Sequence, residues 1–184
     1  ESRGIRLDHI EGDIEFKNVR FGGNILDSVS FQIKKNETVA LVGDSPNEKT
    51  ACLDLIQRFY DLTDQDNGGS ITLDGHHELR DLNKKWLREN IGYIGREPWV
   101  FSNTLRANLL MAKENATDQE LNDALTKVYT SEYIHRLSED LQSEEISNEG
   151  KYLLAMAQIV LKDPKILLID EPANICGEMS RVVH

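Results

Sequence analysis

A four-residue apolar run, Ile166-Leu-Leu-Ile169, leads straight into the carboxylate pair Asp170-Glu171 and then Pro172. Unbroken apolar residues over so short a length predict a strand buried on both faces, as in a parallel sheet covered by helices. Acidic residues at the carboxyl end of such a strand stand where open α/β sheets bind their ligands. An aspartate there can hold a divalent cation and a glutamate can polarise a water, which is the tail half of a phosphate-transfer site. The head half is a strand that runs into a glycine-rich loop and a helix. Thr38–Val42 predicts that strand, short and buried, and Gly43-Asp-Ser-Pro-Asn-Glu-Lys-Thr50 follows it.

The chain has 184 residues, 39% of them hydrophobic, which predicts one domain with room for a subdomain. No apolar run approaches the ~20 residues of a membrane helix. Glu1–Ile10 carries no signal-peptide pattern. A start on Glu rather than Met is expected of a piece of a longer product. Two cysteines, Cys52 and Cys176, are too few for a disulfide framework and fit a reducing compartment. The net charge of −11 argues against nucleic acid as a partner. It also opposes a polyphosphate unless local dipoles and cations overcome the overall field.

Strands are expected at Asp13–Arg20, whose alternation is loose, at Leu26–Ile33 in a half-exposed antiparallel pattern, at Ser70–Leu73 before the Asp74-Gly75 turn, and at Ile91–Ile94. Cys52, Leu55, Ile56 and Phe59 share one face of a predicted helix. Trp86 and Leu87 fall in a short helix. Thr117-Asp-Gln-Glu120 is a capping-box pattern that opens a helix through about Val128. Leu153–Leu161 is a mostly apolar helix stopped by Asp163-Pro164.

With these elements in this order, the chain resembles the nucleotide-binding domain of ABC transporters, nearest to the multidrug-exporter branch. The stretches that carry the resemblance cover nearly the whole chain: Gly12–Phe21, Glu37–Gly43, Arg58-Phe-Tyr-Asp61, Ile91–Pro98 and Asp163–Pro172. The resemblance implies an α/β, P-loop NTPase-like fold. It would have a parallel core sheet, an N-terminal antiparallel β subdomain and a helical subdomain at 97–150, within one domain over 1–184. It implies ATP and Mg2+ as cofactors. Gly43, Asp44, Ser45, Lys49 and Thr50 would cradle phosphate, Thr50 and Asp170 would hold Mg2+, and Glu171 would orient the attacking water. Ser147 would reach the nucleotide held by an opposite subunit. The implied partners are membrane-spanning domains of the same transporter and a second nucleotide-binding domain, at the cytoplasmic face of a membrane.

The site departs from the family pattern at several positions. Pro46 removes a backbone donor from the loop and fixes φ near −65°. Glu48, where the pattern has its second glycine, adds a side chain and a negative charge. A carboxylate about 5 Å from a phosphate costs roughly 1–3 kcal/mol at an effective dielectric of about 20–60. Lys49 is left two options, a local partner or a phosphate. Arg96 stands where the family has a glutamine; it has only donors, and the expectation is a surface cation paired with Glu97. The signature segment reads Ile146-Ser-Asn-Glu-Gly150, and Glu149 in a first helical turn predicts a self-capped helix start rather than a phosphate site.

Phe21–Leu26 lacks the stretch bearing the adenine-stacking aromatic, Leu141–Ile146 is short, and Gly177 takes an Asp position. His184 is expected in a further helix. His76-His77, the Asn115-Ala-Thr117 sequon and the acidic residues of Glu139–Glu149 are expected to be solvated surface without metal or glycan. Two functions follow. One is an ATPase domain that powers export, with weakened activity. The other is a non-catalytic domain that survives as an interaction or structural module, or as the product of a decayed gene.

Overall fold

The computed structural model describes residues 3–63, 69–101, 104–130, 133–135, 137 and 146–170. Two compact units divide the chain, Glu1–Ile91 and Gly92–His184.

The first unit is built on an antiparallel sheet. β1 (Ile14–Phe21) lies between β2 (Leu26–Ile33) and β3 (Ser70–Leu73), and β4 (His77–Glu78) adds to β3. The loose alternation of β1 has a mechanical cause. Register against β2 slips between Phe16 and Val19 and slips back between Val19 and Phe21. Each slip contains one left-handed residue, Asn18 (φ 48°) on β1 and Ser28 (φ 55°) on β2. These are compensating bulges, each with one extra residue on one strand. They let Ile14, Phe16 and Val19 all face the core although their spacing is two and then three; all three are at most 1% exposed. Phe16 stacks on Phe31 across the strands at 4.4 Å.

The turn after β3 is fastened to the chain ahead of β1. The Asp74 carboxylate accepts from the backbone N–H groups of Glu11, Gly12 and Asp13 at 2.9, 2.8 and 3.0 Å.

Helix α1 (Pro46–Ile56) buries Ala51, Cys52, Leu53, Leu55 and Ile56. It stops before Phe59, so the expected helical face is one residue too long: Phe59 is 53% exposed. The cause is Arg58, which takes φ 55° and ends the helical path. Its buried guanidinium forks onto Asp61 at 2.6 and 3.0 Å and donates to the Leu82 carbonyl. Arg88, on α2 (Lys84–Asn90), donates to the carbonyls of Gln57 and Arg58 and lies over the Phe59 ring. Arginine thus serves the carbonyls left over at the end of α1.

One expected strand does not form. Residues 38–42 join neither sheet, and Val42 is 93% exposed rather than buried. A strand this short keeps its backbone groups out of water only when sheet neighbours supply partners, and among the described residues no strand pairs with it.

In the second unit, β5 (Ile91–Ile94, its first residue the last of the other unit) pairs with β6 (Ile166–Ile169). The Asp170 N–H donates to the Ile94 carbonyl at 2.9 Å, which brings the carboxyl ends of the two strands together. β6 is buried on one face only, contrary to the expectation of two. Ile166 and Leu168 are buried, whereas Leu167 and Ile169 are 50% and 41% exposed.

The remaining core is helical. Leu109 of α3 (Leu105–Leu110), Leu121 and Leu125 of α4 (Asp118–Val128) and Leu153, Leu154, Ala157 and Leu161 of α5 (Asn148–Lys162) form one buried cluster. The capping box at Thr117–Glu120 is present in both of its hydrogen bonds. Asp163 at φ 50° closes α5 ahead of Pro164. Buried Asn108 accepts from the Phe101 N–H and takes a bond from Gln158 Nε2 on its carbonyl. No helix among the described residues is long and apolar enough to cross a membrane.

Candidate nucleotide site

The loop residues Gly43, Asp44, Ser45, Lys49 and Thr50 belong to the first unit; Ser147 and Asp170 belong to the second. Glu171, Cys176, Gly177 and His184 lie outside the described residues, as does nearly all of the short 141–146 segment.

The loop turns into α1 at Ser45, whose side chain makes no capping bond; Pro46 is the first helical residue and Glu48 sits in the first turn. The dipole at the helix start therefore already faces a carboxylate of the protein. That carboxylate leans over the loop: a Cβ built on Gly43 would lie 3.5 Å from Glu48 Oε2. Lys49 folds the same way, its Nζ donating to the Gly43 carbonyl at 3.3 Å. Of the two options open to Lys49, this is the local one. Glu48 is felt deeper in the helix as well. The Cys52 thiol is pushed up to about 11, first by burial and then by the Glu48 charge.

Ser147 is the N-cap of α5, its Oγ accepting from the Gly150 N–H at 3.0 Å, with Glu149 in the first turn. The self-capped helix start is thus the arrangement present. Gly150 is packed closely: a Cβ there would come within 3.0–3.2 Å of Ile146 and Leu137.

Arg96 is expected to pair with Glu97, and a pairing the structure gives it is with Asp170. Its Nε lies 3.4 Å from Asp170 Oδ1. Asp170 is 5% exposed while the Arg96 side chain is 38% exposed, so a half-solvated cation covers a buried carboxylate. The two residues are 74 positions apart. The missed signal was strand pairing, since Arg96 follows β5 by two residues and Asp170 follows β6 by one.

Among the described residues no group of three His, Cys, Asp or Glu side chains is placed to hold a metal. His76 is exposed and His77 half-buried.

Comparison with known proteins places the chain in a family. The family described as ABC transporter matches residues 26–174. The chain is 34% identical over 193 residues to the ATP-dependent permease MDL1 of Candida albicans, covering 98% of itself and 27% of the permease. It is 35% identical over 197 residues to ABC transporter B family member 21 of Arabidopsis thaliana, covering all of itself and 15% of that protein. A solved bacterial Atm1-family ABC exporter with ATP bound superposes with a TM-score of 0.82 at 25% identity, over 97% of this chain and 32% of the exporter. The chain thus spans a third or less of each of these proteins.

Proposed function

The chain belongs to the ABC transporter family, as a nucleotide-binding domain of exporter type, and from that premise we propose that it is an ATP-binding domain whose own site is weakened. Domains of this family bind ATP, typically with Mg2+. In this reading residues 1–184 form one domain with a helical subdomain at 97–150. Gly43, Asp44, Ser45, Lys49 and Thr50 face the phosphates, Ser147 serves the nucleotide of a second such domain, and Glu171 orients water. The intact exporter would add membrane-spanning domains and hold this domain at the cytoplasmic face. Closure of two domains around nucleotide would drive transport.

The observation that carries the weakened reading is the bond from Lys49 Nζ to the Gly43 carbonyl. A lysine that binds phosphate has to leave that carbonyl, and it must do so beside Glu48. In the resemblance Mg2+ is held by Thr50 and Asp170 and would neutralise charge on the phosphates. Asp170, facing Arg96, does not fit a metal. A second reading, a non-catalytic module, is favoured by that same pairing.

Calorimetric titration with Mg-ATP tests the proposal. Binding weaker than low-micromolar, with turnover at background, is expected. Saturation in the low-micromolar range, or turnover of about 1–10 per second that Glu171→Gln abolishes, would contradict it. Complete absence of binding would favour the non-catalytic module.

A further inference from the structure

Asp170 is nearly buried at the carboxyl end of β6, and a buried carboxylate that stays ionised needs a counter-charge. In a metal site that charge is a divalent ion held by several oxygen ligands in a regular shell. Here a positive group from the chain itself, the guanidinium of Arg96, lies 3.4 Å from its Oδ1. We propose that Arg96 is the resident counter-ion of Asp170 and takes the place a divalent cation would otherwise fill. The proposal rests on reading Asp170 as the metal position of a family-type site.

Three features carry it. The pair is set by strand geometry: the Asp170 N–H is fixed on the Ile94 carbonyl, and Arg96 follows two residues later. Arginine stays charged at all working pH values and offers donors only, so it can cover Oδ1 but cannot join the shell of a cation. A divalent ion on Oδ1 would also lie beside that guanidinium, and the two would repel. The site is therefore closed to metal by a covalently attached cation, and its charge balance does not depend on dissolved Mg2+.

The test uses the full chain with Mn2+ as the metal alone and no nucleotide. Thermal and urea unfolding are followed for the wild type, Asp170→Asn, Arg96→Gln and the double variant. The wild-type melt should not move with millimolar Mn2+. Arg96→Gln should lower the folding constant on the order of tenfold and recover part of the loss in Mn2+. The double variant should recover most of the loss without metal and ignore Mn2+. Stabilisation of the wild type by Mn2+ that vanishes in Asp170→Asn would overturn the proposal, as would additive effects of the two substitutions. Should Arg96→Gln fail to fold, rescue by Asp170→Asn supports the proposal and failure of rescue overturns it. Neither readout involves ATP, so a failed ATP titration leaves this inference standing.

Discussion

The Lys49 ammonium donates to the Gly43 carbonyl, six residues back along its own loop, at 3.3 Å. Glu48 lies between them in sequence and leans over the same glycine. The cation and the carbonyl thus meet inside the loop beside the Glu48 carboxylate, and under the proposed function a nucleotide would have to draw Lys49 off that carbonyl to gain its phosphate contact. In the proposed site, protein and ligand would compete for the same lysine.

Arg58 is the residue on which the end of α1 depends. Replacing it with Ala removes a forked pair to Asp61 and the bond to Leu82. Asp61 is half-exposed and can rehydrate, so a cost of about 2–4 kcal/mol is expected. Arg58→Gly should cost about 1 kcal/mol less than Arg58→Ala, because φ 55° strains any residue with a Cβ. Urea unfolding of the two variants checks both size and order; equal stabilities would show that the backbone at 58 is not strained.

Asp74 joins the turn after β3 to three successive backbone N–H groups. Asp74→Ala is expected to destabilise by about 1.5–3 kcal/mol, since charge-assisted bonds are lost at a site that water reaches in part. Asp74→Asn keeps one acceptor oxygen and should lose about half as much. Chemical denaturation of both variants provides the check.

The acid limb of stability follows, among the described residues, from three lowered carboxylates, one of them Glu11, held down first by its bond to Lys35 and then by that to His9. Lys113 first, then the Thr117 backbone and hydroxyl, hold Glu120 down at about 2, against an ordinary value of 4.5. Asp61 is also lowered, chiefly by its bond to Arg58. A depressed carboxylate adds stability that is complete above its unfolded value and is lost as pH falls toward its folded value. The melting temperature should therefore hold near neutrality and fall from about pH 4.5 downward. In Glu120→Gln that fall should be shallower, because one of the groups that must be protonated is gone. Melting curves across the acid range read this directly; an unchanged slope would remove Glu120 from the account.

The parts of the fold legible in the sequence were those written in local chemistry. Thr117 and Glu120 announce their capping box, Asp163-Pro164 the end of α5, and Ile91–Ile94 its strand. Residues 38–42 misled because a stretch with only four apolar residues, Val39–Val42, takes its conformation from sheet neighbours, not from itself. β6 misled because apolar content says nothing about whether both faces find cover. The Phe16–Val19 step looked like poor alternation, and only the bulge at Asn18 reconciles it with a buried face. Within the site, Pro46 and Glu48 could be judged in place, because a phosphate loop is a local object. Arg96 could not, because its partner is 74 residues away and is brought to it only by strand pairing.

The most direct test of the central claim, that the loop satisfies itself, is ATP affinity after repair. Pro46→Gly with Glu48→Gly returns a backbone donor, allows positive φ and removes one charge. Calorimetric titration of this variant with Mg-ATP should show a gain of about 2–4 kcal/mol over the parent chain. Lys49→Ala placed on top should erase most of that gain, because only the repaired loop turns Lys49 away from Gly43 and toward phosphate. If the repaired chain melts cooperatively yet gains no affinity, or if Lys49→Ala leaves the gain intact, the self-satisfied loop is not what limits this site.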